Sequence, residues 1–89
     1  GRDLLNSPGS VSVSKIGQDL YDVVICNNYA HYVSRHLLDA GKSFAAMGSC
    51  RLLAKGLNVP DGISHSHSGE WIAVSNHHTK AVLIYKNDN

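Results

Sequence analysis

The chain has 89 residues, of which 43% are hydrophobic and 17% charged, with a formal net charge of +1. This size limits it to one small domain whose own core is marginal. The balanced charge argues against nucleic acid or an anionic membrane as a partner, and no apolar run approaches the roughly 18 residues of a membrane span. Neither a signal peptide nor an initiator Met is visible, so the expectation is that the chain is processed, tagged or a fragment.

Short β-strands are predicted along the whole chain, because runs rich in Val, Ile and Tyr alternate with turns rich in Gly and Ser. In chain order these strands are 10–14, 21–27 and 31–38, then, after a Gly-containing connection at 39–49, a fourth at 50–57, followed by 62–66, 70–76 and 80–86. Pro60 cannot donate a ladder hydrogen bond and is expected between strands. Continuous apolar runs such as Val23–Cys26 predict sheets that are buried on both faces.

The chain contains an internal repeat, which divides its single domain (1–89) into a first unit at about 5–56 and a second at about 57–89. Leu5–Gly17 aligns with Leu57–Gly69, and Val23–Asp39 aligns with Ile72–Asp88 so that Asn27 meets Asn76. The offset differs between the two segments because the first unit has a longer turn, "GQDLYD", and turns tolerate changes of length. Identical residues in the first aligned segment are Leu5/Leu57, Asn6/Asn58, Pro8/Pro60, Ser12/Ser64, Ser14/Ser66 and Gly17/Gly69.

The second unit, "PDGISHSHSGEWIAVSNHHTKAVLIY", resembles a blade of the NHL or YVTN-type, lactonase-like β-propellers. The matching residues are Pro60, Gly62, Ile63, Ser66, Gly69, Trp71, Ile72, Val74, Asn76, Val82, Ile84 and Tyr85. The first unit matches at Pro8, Val11, Ser14, Gly17, Val23, Ile25, Asn27 and Val33, and departs at Ser10, where Gly is usual. The resemblance implies an all-β chain that folds as two four-stranded antiparallel blades.

Two blades cannot close a propeller on themselves and would expose an apolar sheet face. The expectation is therefore a β-propeller formed by oligomerisation, in which Arg2–Leu5 of one copy completes the second blade of the next. The partner is then the chain itself, with a trimer of six blades favoured over a tetramer of eight. A piece of a longer propeller and a two-sheet sandwich are the alternatives.

Four of the six histidines lie in the spacings H-x-H and HH. His65 and His67 lie two apart on a predicted strand, so they share a face and could present two imidazoles to zinc. His77 and His78 are expected at the opposite rim of the blade. The favoured interpretation places His65 at an apolar core position near the axis, because the first unit has Val13 there, and His67 in a turn. A metal held by copies of His65 at a ring axis is the rival hypothesis.

A candidate ligand site follows from the resemblance, because the loops after the second strand of each blade and those before the innermost strand form one rim of the central channel. The residues expected at this rim are Asn27, Asn28, Asp61, Asn76 and His77. Lactonase relatives hold calcium there and use it to polarise a lactone carbonyl. The chain lacks an obvious acidic quartet, which argues against calcium, and each Asn could instead serve only to turn the chain.

The leading functional hypothesis is a non-catalytic β-propeller module that binds a small-molecule ligand or partner at the rim and needs no cofactor. The rivals are a lactonase-like hydrolase dependent on calcium or zinc, and a propeller fragment without a function of its own. The "SRH" motif suggests a Ser–His pair, Ser34 and His36, but no nucleophile-elbow pattern accompanies it. Cys26 is expected to be a free buried thiol, although a bridge to Cys50 stays open.

Overall fold

The computed structural model describes residues 5–53 and 55–87, which form two antiparallel sheets. Sheet A has the order β1 (Pro8–Lys15), β2 (Leu20–Asn27), β3 (Tyr32–Asp39) and β4 (Ala45–Leu53). Sheet B has the order β5 (Pro60–His65), β6 (Trp71–Asn76) and β7 (Ala81–Lys86). Single 3₁₀ turns occur at Asn28–Ala30 and Ala40–Lys42, and the described part of the chain contains no helix with the length and apolar character that a membrane crossing requires. The all-β expectation is confirmed.

The fourth strand differs from the sequence expectation. It begins at Ala45 and ends at Leu53, whereas the pattern predicted a strand over 50–57. The turn before it is compact because Ser43 and Phe44 adopt positive φ angles of 56° and 61°, so the chain returns early and Ala45 pairs with Asp39. The first half of this strand, "AAMGS", consists mostly of small residues and lacks an alternating apolar pattern, so the sequence did not indicate it.

Pro60 also differs from expectation, because it is the first residue of β5 and lies opposite Asn76 rather than between strands. The first position of a strand tolerates proline, since its missing N–H is not needed by the ladder there. Pro8 holds the corresponding place in β1, opposite Asn27. In both sheets the register shifts just after the proline, between Pro8 and Ser10 and between Pro60 and Gly62.

The hydrophobic core lies between the two sheets. Val24, Cys26 and Val33 of sheet A are fully buried and belong to one cluster with Ile72 and Val74 of sheet B. The cluster also contains Leu57, and the side chains packed around it are Leu52, Ile63, Leu83 and Tyr85. Each sheet therefore contributes one face to the core.

The opposite faces of both sheets also carry apolar side chains. The outer face of sheet A is formed by the cross-strand pairs Val11–Ile25 and Val13–Val23, and the outer face of sheet B by the pairs Ala73–Ile84 and Ser75–Val82. The most exposed of these side chains are Val11 at 57%, Val13 at 56%, Val82 at 65% and Ile84 at 60%. An apolar surface on each outer face is a feature of interaction sites.

Replacement of Ile72 by Ala should reduce the free energy of unfolding by about 2–4 kcal/mol, because Ile72 is 1% exposed and its loss leaves a cavity in the core. Ile16→Ala is the matched control: Ile16 is 45% exposed, and its truncation should cost no more than about 0.5 kcal/mol. Urea unfolding of both variants at one protein concentration measures the difference. Equal losses would contradict the position of the core.

Candidate functional site

Asn27 and Asn76, both predicted at the rim, are buried at the ends of β2 and β6. The side-chain oxygen of Asn27 accepts a hydrogen bond from the N–H of Asn6 at 2.7 Å, and that of Asn76 accepts one from the N–H of Asn58 at 2.6 Å. Each amide thereby fastens the segment that leads into the first strand of its own sheet. The amide of Asn27 also donates to Ile25 O and Ser34 Oγ, and that of Asn76 to Gly56 O and Thr79 Oγ1.

The residues that follow Asn6 and Asn58 also adopt equivalent backbone conformations in the two sheets. Ser7 and Val59 have positive φ angles of 53° and 54°, and their carbonyls accept hydrogen bonds from Asn28 N and His77 N. A positive φ is strained for a β-branched residue such as Val59. The strain is maintained by contacts on both sides, since Val59 N also donates to His31 Nδ1 at 2.9 Å.

An open pocket of about 450 Å³ lies at the end of sheet B where β6 meets β7. It brings together three of the five residues predicted at the rim, and its lining consists of Asp61, Ser75, Asn76, His77, His78, Lys80, Ala81 and Val82. Asn27 and Asn28 belong to the sheet A side and do not line this pocket. The side-chain oxygen of Asn28 is buried, and among the described residues it has no hydrogen-bond partner.

The polar groups in the floor of this pocket already have partners within the chain. Ser75 Oγ accepts a hydrogen bond from the N–H of Gly62 at 2.7 Å, and the amide of Asn76 is fully engaged with Asn58, Gly56 and Thr79. The ionisable side chains, Asp61, His77, His78 and Lys80, are exposed around the mouth. Most of the pocket surface is consequently apolar.

The histidine pairs lie at opposite ends of sheet B, as predicted, because His65 pairs with Ile72 and Pro60 with Asn76. β5 ends at His65, and His67 is exposed in the following turn, as the favoured interpretation predicted, so the H-x-H pair does not lie on one strand face. Both ring nitrogens of His65 are engaged within the chain, as described below. Residues 5–53 and 55–87 contain no group of three or more His, Cys, Asp and Glu side chains arranged to hold a metal.

A buried polar network centred on Asp22 connects the two sheets. The Asp22 carboxylate is fully buried and accepts hydrogen bonds from Arg35 Nε at 2.7 Å and Arg35 Nη2 at 3.2 Å, both within sheet A. It also accepts hydrogen bonds from His65 Nε2 of sheet B at 3.0 Å and from Asn87 Nδ2, directly after β7, at 3.2 Å. Arg35 Nη2 also donates to Asn87 Oδ1. The carboxylate thus has directional contacts on both sides of the seam between the sheets.

The contacts of Asp22 determine its charge state. Burial on its own raises the pKa of this carboxyl, but the hydrogen bonds from Arg35, His65 and Asn87 and the positive charge of Arg35 outweigh it, so the pKa lies below the ordinary 3.8. The group is therefore an anion at neutral pH, paired with the Arg35 guanidinium, whose side chain is 7% exposed.

Ser12, His65 and Asp22 form a hydrogen-bonded chain in the order found in hydrolytic triads. Ser12 Oγ lies 2.8 Å from His65 Nδ1, and His65 Nε2 lies 3.0 Å from Asp22 Oδ2. However, Ser12 Oγ also accepts the backbone N–H of His65 at 3.0 Å, and Asp22 is held by Arg35. These bonds direct the hydroxyl into the seam, where it fastens β1 to β5.

The predicted Ser34–His36 pair is formed as well, with Ser34 Oγ 2.9 Å from His36 Nε2 and His36 Nδ1 3.0 Å from Ser49 Oγ. Ser34 is fully buried and also accepts from Asn27 Nδ2, so this hydroxyl is a structural group. Burial lowers the pKa of His36.

Sequence reasoning missed the Asp22 network. A signal for it was present, because an acid and a base, Asp22 and Arg35, stand within the two apolar strands "YDVVICN" and "YVSRHLL". The pairing of Asp22 with Leu37 and of Arg35 with Val24 makes the two charged residues diagonal neighbours on one face. The contribution of Asn87, 65 residues from Asp22, had no local signal.

The two cysteines are both free thiols, so the expected buried Cys26 thiol is confirmed and the alternative bridge to Cys50 is not formed. Burial and the negative charge of Asp61 raise the pKa of Cys26 to about 11. Cys50 is exposed on β4. Only Cys50 of the two is therefore accessible to thiol reagents in the folded chain.

Comparison with known proteins adds no family assignment. A scan against protein-family models finds none that matches the chain, and a search of curated proteins finds no similar sequence.

Replacement of Asp22 by Asn should destabilise the fold by about 3–5 kcal/mol at pH 7, because it removes the carboxylate charge that pairs with the buried Arg35 guanidinium. The pKa of Asp22 is lower in the folded chain, so its ionised form stabilises the fold above the ordinary 3.8, and this contribution is lost as the pH falls through the folded value. The difference in free energy of unfolding between wild type and D22N should therefore become smaller below about pH 3.8. Urea unfolding across this pH range measures it.

Asp19→Asn is the matched control for this measurement, since Asp19 is exposed. Its loss should stay within about 0.5 kcal/mol at every pH. A difference between wild type and D22N that does not change with pH would contradict the assigned charge state of Asp22.

Proposed function

We propose that the chain is a non-catalytic binding module that associates with copies of itself into a ring of β-sheets, with three copies as the favoured number. The single observation that carries this proposal is the relation between the packed and the exposed sheet faces.

When the two sheets are aligned through the sequence repeat, the face of sheet A that packs in the core does not correspond to the face of sheet B that packs there. Val24 and Cys26 of sheet A are buried in the core, and their counterparts in sheet B, Ala73 and Ser75, lie on its outer face. Conversely, Ile72 and Val74 are in the core, and their counterparts, Val23 and Ile25, lie on the opposite side of sheet A from it. The outer face of sheet B therefore corresponds to the packed face of sheet A, and the outer face of sheet A corresponds to the packed face of sheet B. A second copy can stack on the first by repeating the packing within the chain.

Polar contacts at the seam support the same arrangement. Within the chain, Ser12 Oγ accepts the backbone N–H of His65 at 3.0 Å across the seam. The repeat counterpart of Ser12 is Ser64, which is exposed, and the counterpart of His65 is Val13, which is 56% exposed. In the proposed stack, the N–H of Val13 in one copy would donate to Ser64 Oγ of its neighbour.

Completion of sheet B by another copy is part of this proposal. In the described residues sheet B has three strands and sheet A four, so β7 has an open edge. The proposed completing strand, Arg2–Leu5, lies outside the described residues except for Leu5. An open strand edge can pair with an added strand through main-chain hydrogen bonds.

The small-molecule ligand at the rim and the lactonase-like alternative stay predictions. The floor of the pocket offers few free polar groups, as its hydroxyl and amide are engaged within the chain. No observation favours hydrolysis over binding, so the proposal is limited to the binding module.

Purified protein should have a mass in solution of three times 9.6 kDa, because both outer faces carry exposed apolar side chains and a closed stack of copies buries all of them. Light scattering coupled to size-exclusion chromatography measures this mass. The double variant Val11→Asp, Ile84→Asp places a charge on each outer face and should shift the mass toward 9.6 kDa. A wild-type protein that stays at 9.6 kDa at high concentration would contradict the proposal.

A further inference from the structure

The segment before β5 inserts a leucine into the core. Leu57 lies outside the strands, yet it is only 8% exposed and belongs to the cluster that contains Cys26 and Val33. The backbone next to it is fastened by the bond from Asn58 N to Asn76 Oδ1. A leucine attached to sheet B therefore packs on the face of sheet A formed by β2 and β3.

Leu5 is the counterpart of Leu57 in the repeat, but it does not belong to the buried core cluster. Its backbone is fastened in the same way, through the bond from Asn6 N to Asn27 Oδ1. Leu5 is 41% exposed, compared with 8% for Leu57. The two leucines thus share the hydrogen bond from the following N–H to a strand-end asparagine, but only Leu57 packs on a neighbouring sheet of the same chain.

The pocket of sheet B corresponds to the surface that receives Leu57. The counterparts of Cys26 and Val33, which cluster with Leu57, are Ser75 and Val82, and both line the pocket. The hydroxyl oxygen of Ser75 already accepts the backbone N–H of Gly62 within the chain. Val82 is 65% exposed there. The pocket floor on sheet B thus corresponds to the surface of sheet A on which Leu57 packs.

We infer that this pocket is the socket for Leu5 of a second copy of the chain. The inference rests on the proposed association of copies and identifies the contact that joins one copy to the next. Leucine suits the apolar floor, and the exposed charges of Asp61 and Lys80 at the mouth remain solvated around it. A polar small molecule would find the floor amide and hydroxyl already engaged.

The test compares Leu5→Asp with Leu20→Asp, which introduces the same charge at a leucine of similar exposure, 38%, on the end of β2 remote from Asn27. L5D should weaken self-association at least about tenfold, as expected for loss of a buried anchor, while L20D leaves it unchanged. Analytical ultracentrifugation over a dilution series gives the association constants, and circular dichroism confirms folding. Association of L5D equal to wild type overturns the socket but leaves the ring intact, whereas a monomeric wild type overturns both. Equal weakening in L20D also overturns the socket.

Cross-linking provides a second test that does not depend on L5D remaining folded. L5C and V82C are prepared separately, each with C50S to remove the exposed native thiol; Cys26 stays unreactive because it is buried. A short bismaleimide should join L5C to V82C when the two proteins are mixed, and should give much less product with either protein alone. Failure of the mixture to cross-link at concentrations where wild type is oligomeric overturns the socket.

Discussion

The buried carboxylate of Asp22 is the interaction on which the arrangement of the two sheets depends. The apolar cluster around Val24 and Ile72 holds the sheets together, but such packing is not directional. Asp22 receives Arg35 from its own sheet, His65 from the other and Asn87 from directly after β7, so its hydrogen bonds fix one relative position of the sheets. A shift along the seam would leave a buried charge without partners, which costs more than a loss of apolar contact.

At the ends of the central strands, a second constraint is repeated in both sheets. Asn27 and Asn76 each accept, through the side-chain oxygen, a hydrogen bond from the segment that enters the first strand, and the amide nitrogen of each donates to other groups of the chain. This explains how Val59 can keep a positive φ that its branched side chain disfavours. It also means that Asn27 and Asn76, two of the three asparagines expected to bind a ligand, use their side chains within the fold.

Much of the fold was predictable because six strands carry strong apolar runs bounded by Gly, Ser and Asn. β4 was placed five residues too late, since its first half, Ala45–Ser49, has almost no hydrophobic pattern and is defined by its pairing with β3. The pocket was partly predictable, as Asp61, Asn76 and His77 do line it. The Asp22 network was not, because it joins residues 43 and 65 positions apart whose meeting depends on how the sheets pack.

The seam between the sheets has a consequence for the number of copies. If copies stack as proposed, the rotation from sheet A to sheet B within one chain is repeated at every junction, so one angle governs the whole assembly. A ring closes only when this rotation divides a full turn evenly; any other value generates an open helical filament. Since Asp22, Arg35 and His65 hold that angle, a change in these buried residues could alter the stoichiometry, or convert rings to filaments, without touching the surface between copies.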